Sequence, residues 1–243
     1  MSISKNQIKI ITSLSQKKYR IQHQLFIAEG VKVVNELLNS SLELEAIFAT
    51  DDFKCDNFLD KKTTISESEL QKISQLKTPN NVLALFKIPP KKSFKKIGLT
   101  VVLDAINDPG NLGTIIRLCD WFGVTQLVCS EDTVDCFNSK VVQASMGSLS
   151  RIDIHYIALE QFLSETLLPI FIADMNGENV YKSQLHEEGI LLMGNEANGV
   201  SEGVKKFANQ IISIPRFGDV QQTESLNVAT ATAILLSEFK RGK

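Results

Sequence analysis

Apolar residues along this chain fall into two kinds of run. In LFIAEG (25–30), LEAIFAT (44–50) and VLALFKI (82–88) they crowd together over a few positions, the pattern of short buried strands. Elsewhere they recur at helical spacing, as at Val31, Val34, Leu37 and Leu38 of VKVVNELLNS (31–40). Residues 5–38 therefore predict two helices around the strand-like 25–30. The first carries Ile8, Ile10, Ile11 and Leu14 and leads into the basic Lys17, Lys18, Tyr19, Arg20. SESELQKISQL (66–76) predicts a helix, with Ser66 and Glu69 spaced as a capping box. Alternating elements over the first 90 or so residues are enough for a small α/β domain.

IPPKKSFKK (88–96) interrupts the pattern with two prolines and four lysines, poor core material and good linker material. The expected organisation is a domain over 1–90, a linker over 91–97 and a second domain over 98–243. That second region opens on LTVVLDAI (99–106), a nearly continuous apolar run of the kind a buried parallel strand needs. LGTIIRLCDWFG (112–123) follows as a helix ended by Gly123. VTQLVCS (124–130), LPIFIADM (168–175), GILLMGNE (189–196) and QIISIP (210–215) predict strands. SKVVQASMG (139–147) and SLNVATATAILLSEFKR (225–241) predict helices. Strands alternating with helices imply a mostly parallel sheet covered on both faces.

Composition narrows the classes. At 243 residues, 43% hydrophobic and 22% charged, the sequence is that of an ordinary globular protein. No apolar run approaches the roughly 18 residues of a membrane span, and residues 1–20 are too polar for a signal peptide. Both absences predict a cytoplasmic protein. Cys55, Cys119, Cys129 and Cys136 form no Cys-x-x-Cys pair, and His23, His155 and His186 are scattered, so no metal site is expected. The cysteines read as reduced packing residues. The net charge of −2 hides an asymmetry. Residues 1–100 hold 16 Lys and Arg against 10 Asp and Glu, and the remainder 10 against 18. A basic half is one mark of a polyanion partner.

Three polar stretches stand at predicted strand ends: NDPGNLGTIIR (107–117), GNEANGVS (194–201) and IPRFGDVQQTESLN (214–227). In open α/β sheets ligands bind beyond the carboxyl ends of the strands. Each stretch has a plainer reading: a β-turn at 107–111, positive φ at Gly194 and Gly199, helix caps at Ser225 and Asn227, a solvated helix residue at Arg117. Those readings leave unexplained why all three carry Asn with Gly or Ser, and why two hold a lone acid, Glu196 and Glu224. There is no Gly-x-Gly-x-x-Gly and no Gly-Lys-Ser/Thr, so a nucleotide pyrophosphate is not the expected ligand.

In this order the three stretches resemble the motifs of the SpoU (TrmH-type) RNA 2′-O-ribose methyltransferases of the SPOUT superfamily. Asn111, Gly113 and Arg117 carry the first, Met193 to Glu196 the second, and Ile214-Pro215 with Ser225-Leu226-Asn227 the third. The resemblance covers about residues 99–240, and ASMGS (144–148) resembles a further family segment. LFIAEGVKVVNELL (25–38) resembles the small RNA-binding domain, similar to a ribosomal-protein fold, that precedes the catalytic domain in many members.

The resemblance implies an α/β SPOUT domain with a parallel sheet and a deep trefoil knot. It further implies S-adenosylmethionine as methyl donor and an active site formed across a homodimer. Met193, Gly194, Ile214 and Leu226 would contact the cofactor, and Asn111, Glu196, Ser225 and Asn227 would orient the site. Arg117 is the foremost catalytic candidate, either as a base or as a stabiliser of phosphate or alkoxide. A guanidinium is almost never deprotonated in a protein, which favours the second role. Lys17, Lys18 and Arg20 are candidates for phosphate contacts. An accessory N-terminal domain favours ribosomal RNA over transfer RNA as substrate. The segment RFGDVQQTE (216–224) is longer than the family pattern by about three residues, which weakens the placement of Leu226. The alternative reading is a non-catalytic RNA-binding protein that kept the fold.

Overall fold

The computed structural model describes residues 3–55, 57–95, 98–218 and 225–241. They form two compact units, Met1–Lys91 with Asp135–Arg151, and Lys92–Val134 with Ile152–Lys243.

The first unit begins with α1 (Lys5–Ser13) and α2 (Lys17–His23), followed by β1 (Leu25–Glu29), α3 (Val31–Leu38), β2 (Leu44–Ala49), β3 (Lys62–Thr64), α4 (Glu67–Ile73) and β4 (Val82–Lys87). Its four-stranded sheet has the order β1-β4-β2-β3. Strand β4 runs antiparallel to β1 and β2, and β3 runs parallel to β2. The capping box expected at Ser66 is present: its hydroxyl accepts from Glu69 N while the Glu69 carboxylate accepts from Ser66 N. Ser4 and Gln7 form a second, unanticipated box at the start of α1. Ile11, Leu14, Ile27, Phe48, Ile73 and Leu83 meet in the core between helices and sheet.

The second unit contains β5 (Leu99–Leu103), α5 (Pro109–Trp121) and β6 (Gln126–Cys129). Helix α6 (Ser139–Ser145) comes next in the chain but belongs to the first unit, where it packs on β1. The second unit resumes with β7 (Asp153–Tyr156), α7 (Leu159–Ser164), β8 (Ile170–Asn179), β9 (Gly189–Met193), α8 (Glu202–Lys205), β10 (Gln210–Ser213) and α9 (Val228–Phe239). Its six strands have the order β10-β8-β9-β5-β6-β7, and every pairing is parallel. A sheet covered on both faces must bury both sides of its central strands, and β5 and β9 are buried at every position. Val102, Ile190 and Leu192 share a core cluster with Leu159 and Leu163 of α7 and Val204 of α8. On the opposite face Phe171 meets Phe239 of α9 edge-on, ring centroids 5.2 Å apart, and α9 packs against α5.

The short elements were the ones the hydrophobic pattern did not announce. Strand β7 is half-buried throughout, α7 has six residues, and α8 has four with one buried apolar side chain. Such elements are stabilised by their neighbours more than by their own periodicity. The basic segment 17–20 is itself the start of α2, which ends at Gln24 in a left-handed conformation (φ 54°). Residues of the expected linker pack onto the second unit. Phe94 stands edge-on to His155 and Phe162, the Gln126 amide bonds both the N–H and the carbonyl of Lys95, and Lys92 pairs with Asp153. None of the four cysteines is in a disulfide. Burial pushes the Cys119 thiol up to about 12, as befits an inert packing residue.

Arg20 is 3% exposed. Its Nε donates to Asp135 Oδ2 at 2.9 Å and its Nη1 to the carbonyls of Leu14 and Ser15. The guanidinium therefore holds the segment Asp135–Arg151 to the helices of the first unit. Replacing Asp135 with Ala strands a buried cation and is expected to destabilise the protein by about 3 kcal/mol. Lys87→Ala, which breaks an exposed pair with Glu43, is expected to cost under about 1 kcal/mol. Urea denaturation of the two variants measures the contrast.

Candidate functional site

Strands β5, β8, β9 and β10 end at one edge of the parallel sheet, so the loops that follow them converge. The loop after β5 is no simple turn. Asp108 is the N-cap of α5, accepting from Asn111 N at 2.8 Å, and Pro109 occupies the first helical turn, where a missing N–H costs nothing. This places Asn111 in the first turn with its side chain free to act elsewhere. The loop after β9 is a tight reversal in which Asn195 and Gly199 bond each other's backbone. Gly194 is required there, because a Cβ would collide with the main chain of Gly199 and Val200. Asn227 caps α9, its Oδ1 accepting from Ala229 N and Thr230 N.

Two hydrogen bonds join these three loops. Asn227 Nδ2 donates to Asn111 Oδ1 at 2.9 Å, and Asn111 Nδ2 donates to Glu196 Oε1. The plainer cap reading of Asn227 and its site role are thus both true: one side chain does both. Two residues that sequence reasoning passed over brace the cluster from behind. Asn195 Nδ2 bonds Ala105 O, and Asp104 Oδ2 accepts from Ser201 N. Asn195 sits inside the recognised motif, and Asp104 ends an apolar strand; either fact marks a polar residue that must find a partner.

Beside the cluster lies a cavity of about 860 Å³. Met193, Gly194, Ile214 and Leu226 all line it, as do Glu196 and Ser225. Val228, Ala231 and Leu235 of α9 complete an apolar wall. Ala173 to Asn176, within β8, form a fourth lining segment that the sequence reading did not select. Its signal was the change within the strand from apolar Ile170-Phe171-Ile172 to Asp174 and Asn176. Glu224 and residues 219–223 lie outside the described residues.

Arg117 does not join the hydrogen-bonded cluster. It is exposed on α5, two helical turns beyond the loop, and has no hydrogen-bond or ion-pair partner among the described residues. A guanidinium held ready in solvent can receive an anion without first breaking another bond. In the first unit Lys17 and Lys18 are exposed on α2, with the Lys18 ammonium over the Tyr19 ring at 4.7 Å. Arg20, the third candidate for phosphate, is committed to Asp135 instead.

The parallel sheet thus carries at its carboxyl edge a cavity with an apolar wall, rimmed by Asn, Glu and Ser, and the sequence has no phosphate loop. Residues 98–237 match the SpoU rRNA Methylase family, and residues 5–84 match the MRM3-like substrate binding domain. The chain belongs to the SpoU rRNA methylase family. It is 30% identical to the 23S rRNA (guanosine(2553)-2′-O)-methyltransferase RlmP of Bacillus subtilis (strain 168), over 98% of this chain and 97% of that one. Among solved structures it is similar to a TrmH-family protein of Porphyromonas gingivalis, with TM-score 0.87 and 35% identity over 98% of both chains. It is also similar to the AdoMet-bound rRNA methyltransferase of Sinorhizobium meliloti, with TM-score 0.85 and 26% identity over 99% of this chain and 97% of that one. Among the described residues, no helix is long and apolar enough to cross a membrane.

The crowding at Gly194 gives a direct check on the site. Gly194→Ala forces the 195–199 reversal outward, into the cavity wall. Titration calorimetry with S-adenosylmethionine is expected to show at least about a tenfold loss of affinity, equal to about 1.4 kcal/mol.

Proposed function

We propose that this protein transfers the methyl group of S-adenosylmethionine to a ribose 2′-hydroxyl of ribosomal RNA, in the cytoplasm. The observation that carries the reading is the cavity at the sheet's carboxyl edge, bordered by the Asn227–Asn111–Glu196 chain of hydrogen bonds. The residues present fit the cofactor. Leu226 is a half-exposed leucine in the cavity wall, the kind of surface an adenine ring covers, and the turn at Gly194 presents main chain rather than side chain to the space. Bound there, S-adenosylmethionine supplies an electrophilic methyl group on a sulfonium.

The protein's own residues must then position the hydroxyl and manage charge. Met193, Gly194, Ile214 and Leu226 hold the cofactor, and Asn111, Glu196, Ser225 and Asn227 set the geometry of the rim. Asn111 is fixed at both ends of its amide, so the Glu196 carboxylate is held in one place without a buried cation. Arg117 meets the RNA phosphate or the forming 2′-alkoxide. As a guanidinium it stays protonated and acts by charge and paired N–H donors, not as a base. Lys17 and Lys18 add phosphate contacts that give affinity without choosing a sequence.

A deep trefoil knot through the same loops belongs to this reading. It is supported by the family and by the main-chain crowding at Gly177 and Gly194. A homodimer belongs to it as well. Trp121 is 83% exposed on α5, four residues beyond Arg117 and so on the same helical face. A large apolar ring beside the catalytic arginine suits burial against a second copy. Trp121→Ala is expected to shift sedimentation velocity from dimer toward monomer, while circular dichroism stays unchanged.

Methyl transfer from radiolabelled S-adenosylmethionine to unmodified ribosomal RNA, with mapping of the labelled nucleotide, tests the activity. Label on a ribose 2′-oxygen is expected. Arg117→Ala should lower turnover by about a hundredfold, the effect of losing one donor to a developing oxyanion. Arg117→Lys should remain well below wild type, because an ammonium cannot pair two N–H donors in one plane. Cofactor binding without label on any RNA would favour the non-catalytic RNA-binding alternative.

A further inference from the structure

The rim of the cavity carries a feature that holding the cofactor does not require. Phe217 is 81% exposed. Its neighbours Arg216 and Gly218 line the cavity, whereas Phe217 is not among the lining residues. It lies alongside Tyr181, itself 39% exposed, with ring centroids 6.4 Å apart and an interplanar angle of 28°. Tyr181 sits in the 3-10 turn Val180–Lys182, which is anchored from below. Val180 is fully buried, and Asn179 Oδ1 accepts from Tyr181 N at 2.9 Å. One ring of the pair therefore stands on a fixed base.

Cations stand next to both rings in sequence. Lys182 is exposed, with no hydrogen-bond or ion-pair partner among the described residues. Arg216 is adjacent to Phe217 in sequence, its Nη2 3.8 Å from Met175 Sδ. Two acids of β8 are engaged: Asp174 pairs with Lys205, and Glu178 accepts from Gln210. Exposed aromatic rings interleaved with cations are the surface that single-stranded nucleic acid uses, rings for the bases and cations for the phosphates.

We propose that Phe217 and Tyr181 form a stacking platform for a base of the RNA substrate, at or next to the nucleotide whose ribose enters the cavity. This rests on the methyl-transfer reading above. A ribose delivered to a cavity at a sheet edge brings its base out of the RNA stack, and that base needs a replacement for the π-contacts it leaves. A platform on the rim provides this and orients the sugar. It reads no base edge, so it tolerates any base; specificity resides elsewhere.

The test compares wild type with Phe217→Leu, which keeps apolar bulk without a ring, and Phe217→Trp, which keeps a ring. The probe is in vitro transcribed, unmodified ribosomal RNA, read by filter binding and by methyl transfer. Calorimetry with S-adenosylmethionine and sedimentation velocity accompany each variant. Phe217→Leu is expected to weaken RNA binding and raise KM for RNA about tenfold, with kcat, cofactor affinity and sedimentation unchanged, and Phe217→Trp to restore both. Unchanged RNA affinity in Phe217→Leu overturns the platform. So does a shift in sedimentation, which would place the ring against a second copy of the chain. A wild-type protein that binds the RNA but never labels a ribose sinks the methyl-transfer reading instead, and filter binding still decides the platform.

Discussion

One carboxamide ties the site together. The side chain of Asn111 accepts from Asn227 and donates to Glu196, joining segments separated by 116 and 85 residues. It can do so because its own backbone N–H is taken by Asp108 at the start of α5. Its position is thus set by the helix, not by the ligand. Asn227 is fixed in the same way by the N-terminus of α9. Two helix starts thus fix a chain of hydrogen bonds that runs from Asn227 through Asn111 and ends on one carboxylate, that of Glu196.

The parallel sheet makes this convergence possible. With every pairing in β10-β8-β9-β5-β6-β7 parallel, all the carboxyl ends lie along one edge. The central strands are buried on both faces, so a polar site has room only beyond their ends. Asp104 and Asn195 answer the backbone demand created there, bonding Ser201 N and Ala105 O across the neighbouring loops. The apolar wall from Leu226 to Leu235 then sets a dry surface beside a polar rim, which suits a ligand with an aromatic end and a reactive end.

Charge plays different parts in the two units. In the first, the basic excess read from composition divides into exposed residues, Lys17 and Lys18, and a buried one, Arg20. Adjacent residues on a short helix point to different sides, so three neighbouring cations in sequence do not make one cationic patch. Within that unit Asp135 takes up the inward-facing Arg20 and so ties the segment Asp135–Arg151 to α2. In the second unit Arg117 stands in solvent on the exposed face of α5, whose other face is buried by Leu112, Ile115, Ile116 and Cys119.

The sequence by itself determined the main elements, because strands with crowded apolar residues and helices with spaced ones follow from local sterics and burial. It also disclosed the capping box at Ser66 and the strand-end stretches that hold Asn111, Gly194, Glu196 and Asn227. Only the tertiary structure decided which residues meet. Nothing local in 88–96 says that Phe94 packs against His155 and Phe162, or that Lys95 is bonded by Gln126. Nothing local in 17–20 says that Arg20 turns inward to Asp135, 115 residues away. Nor does the middle of β8, Ala173 to Asn176, declare itself a cavity wall. Periodicity reports how one segment faces a core; partner choice depends on chain crossings that no single segment contains.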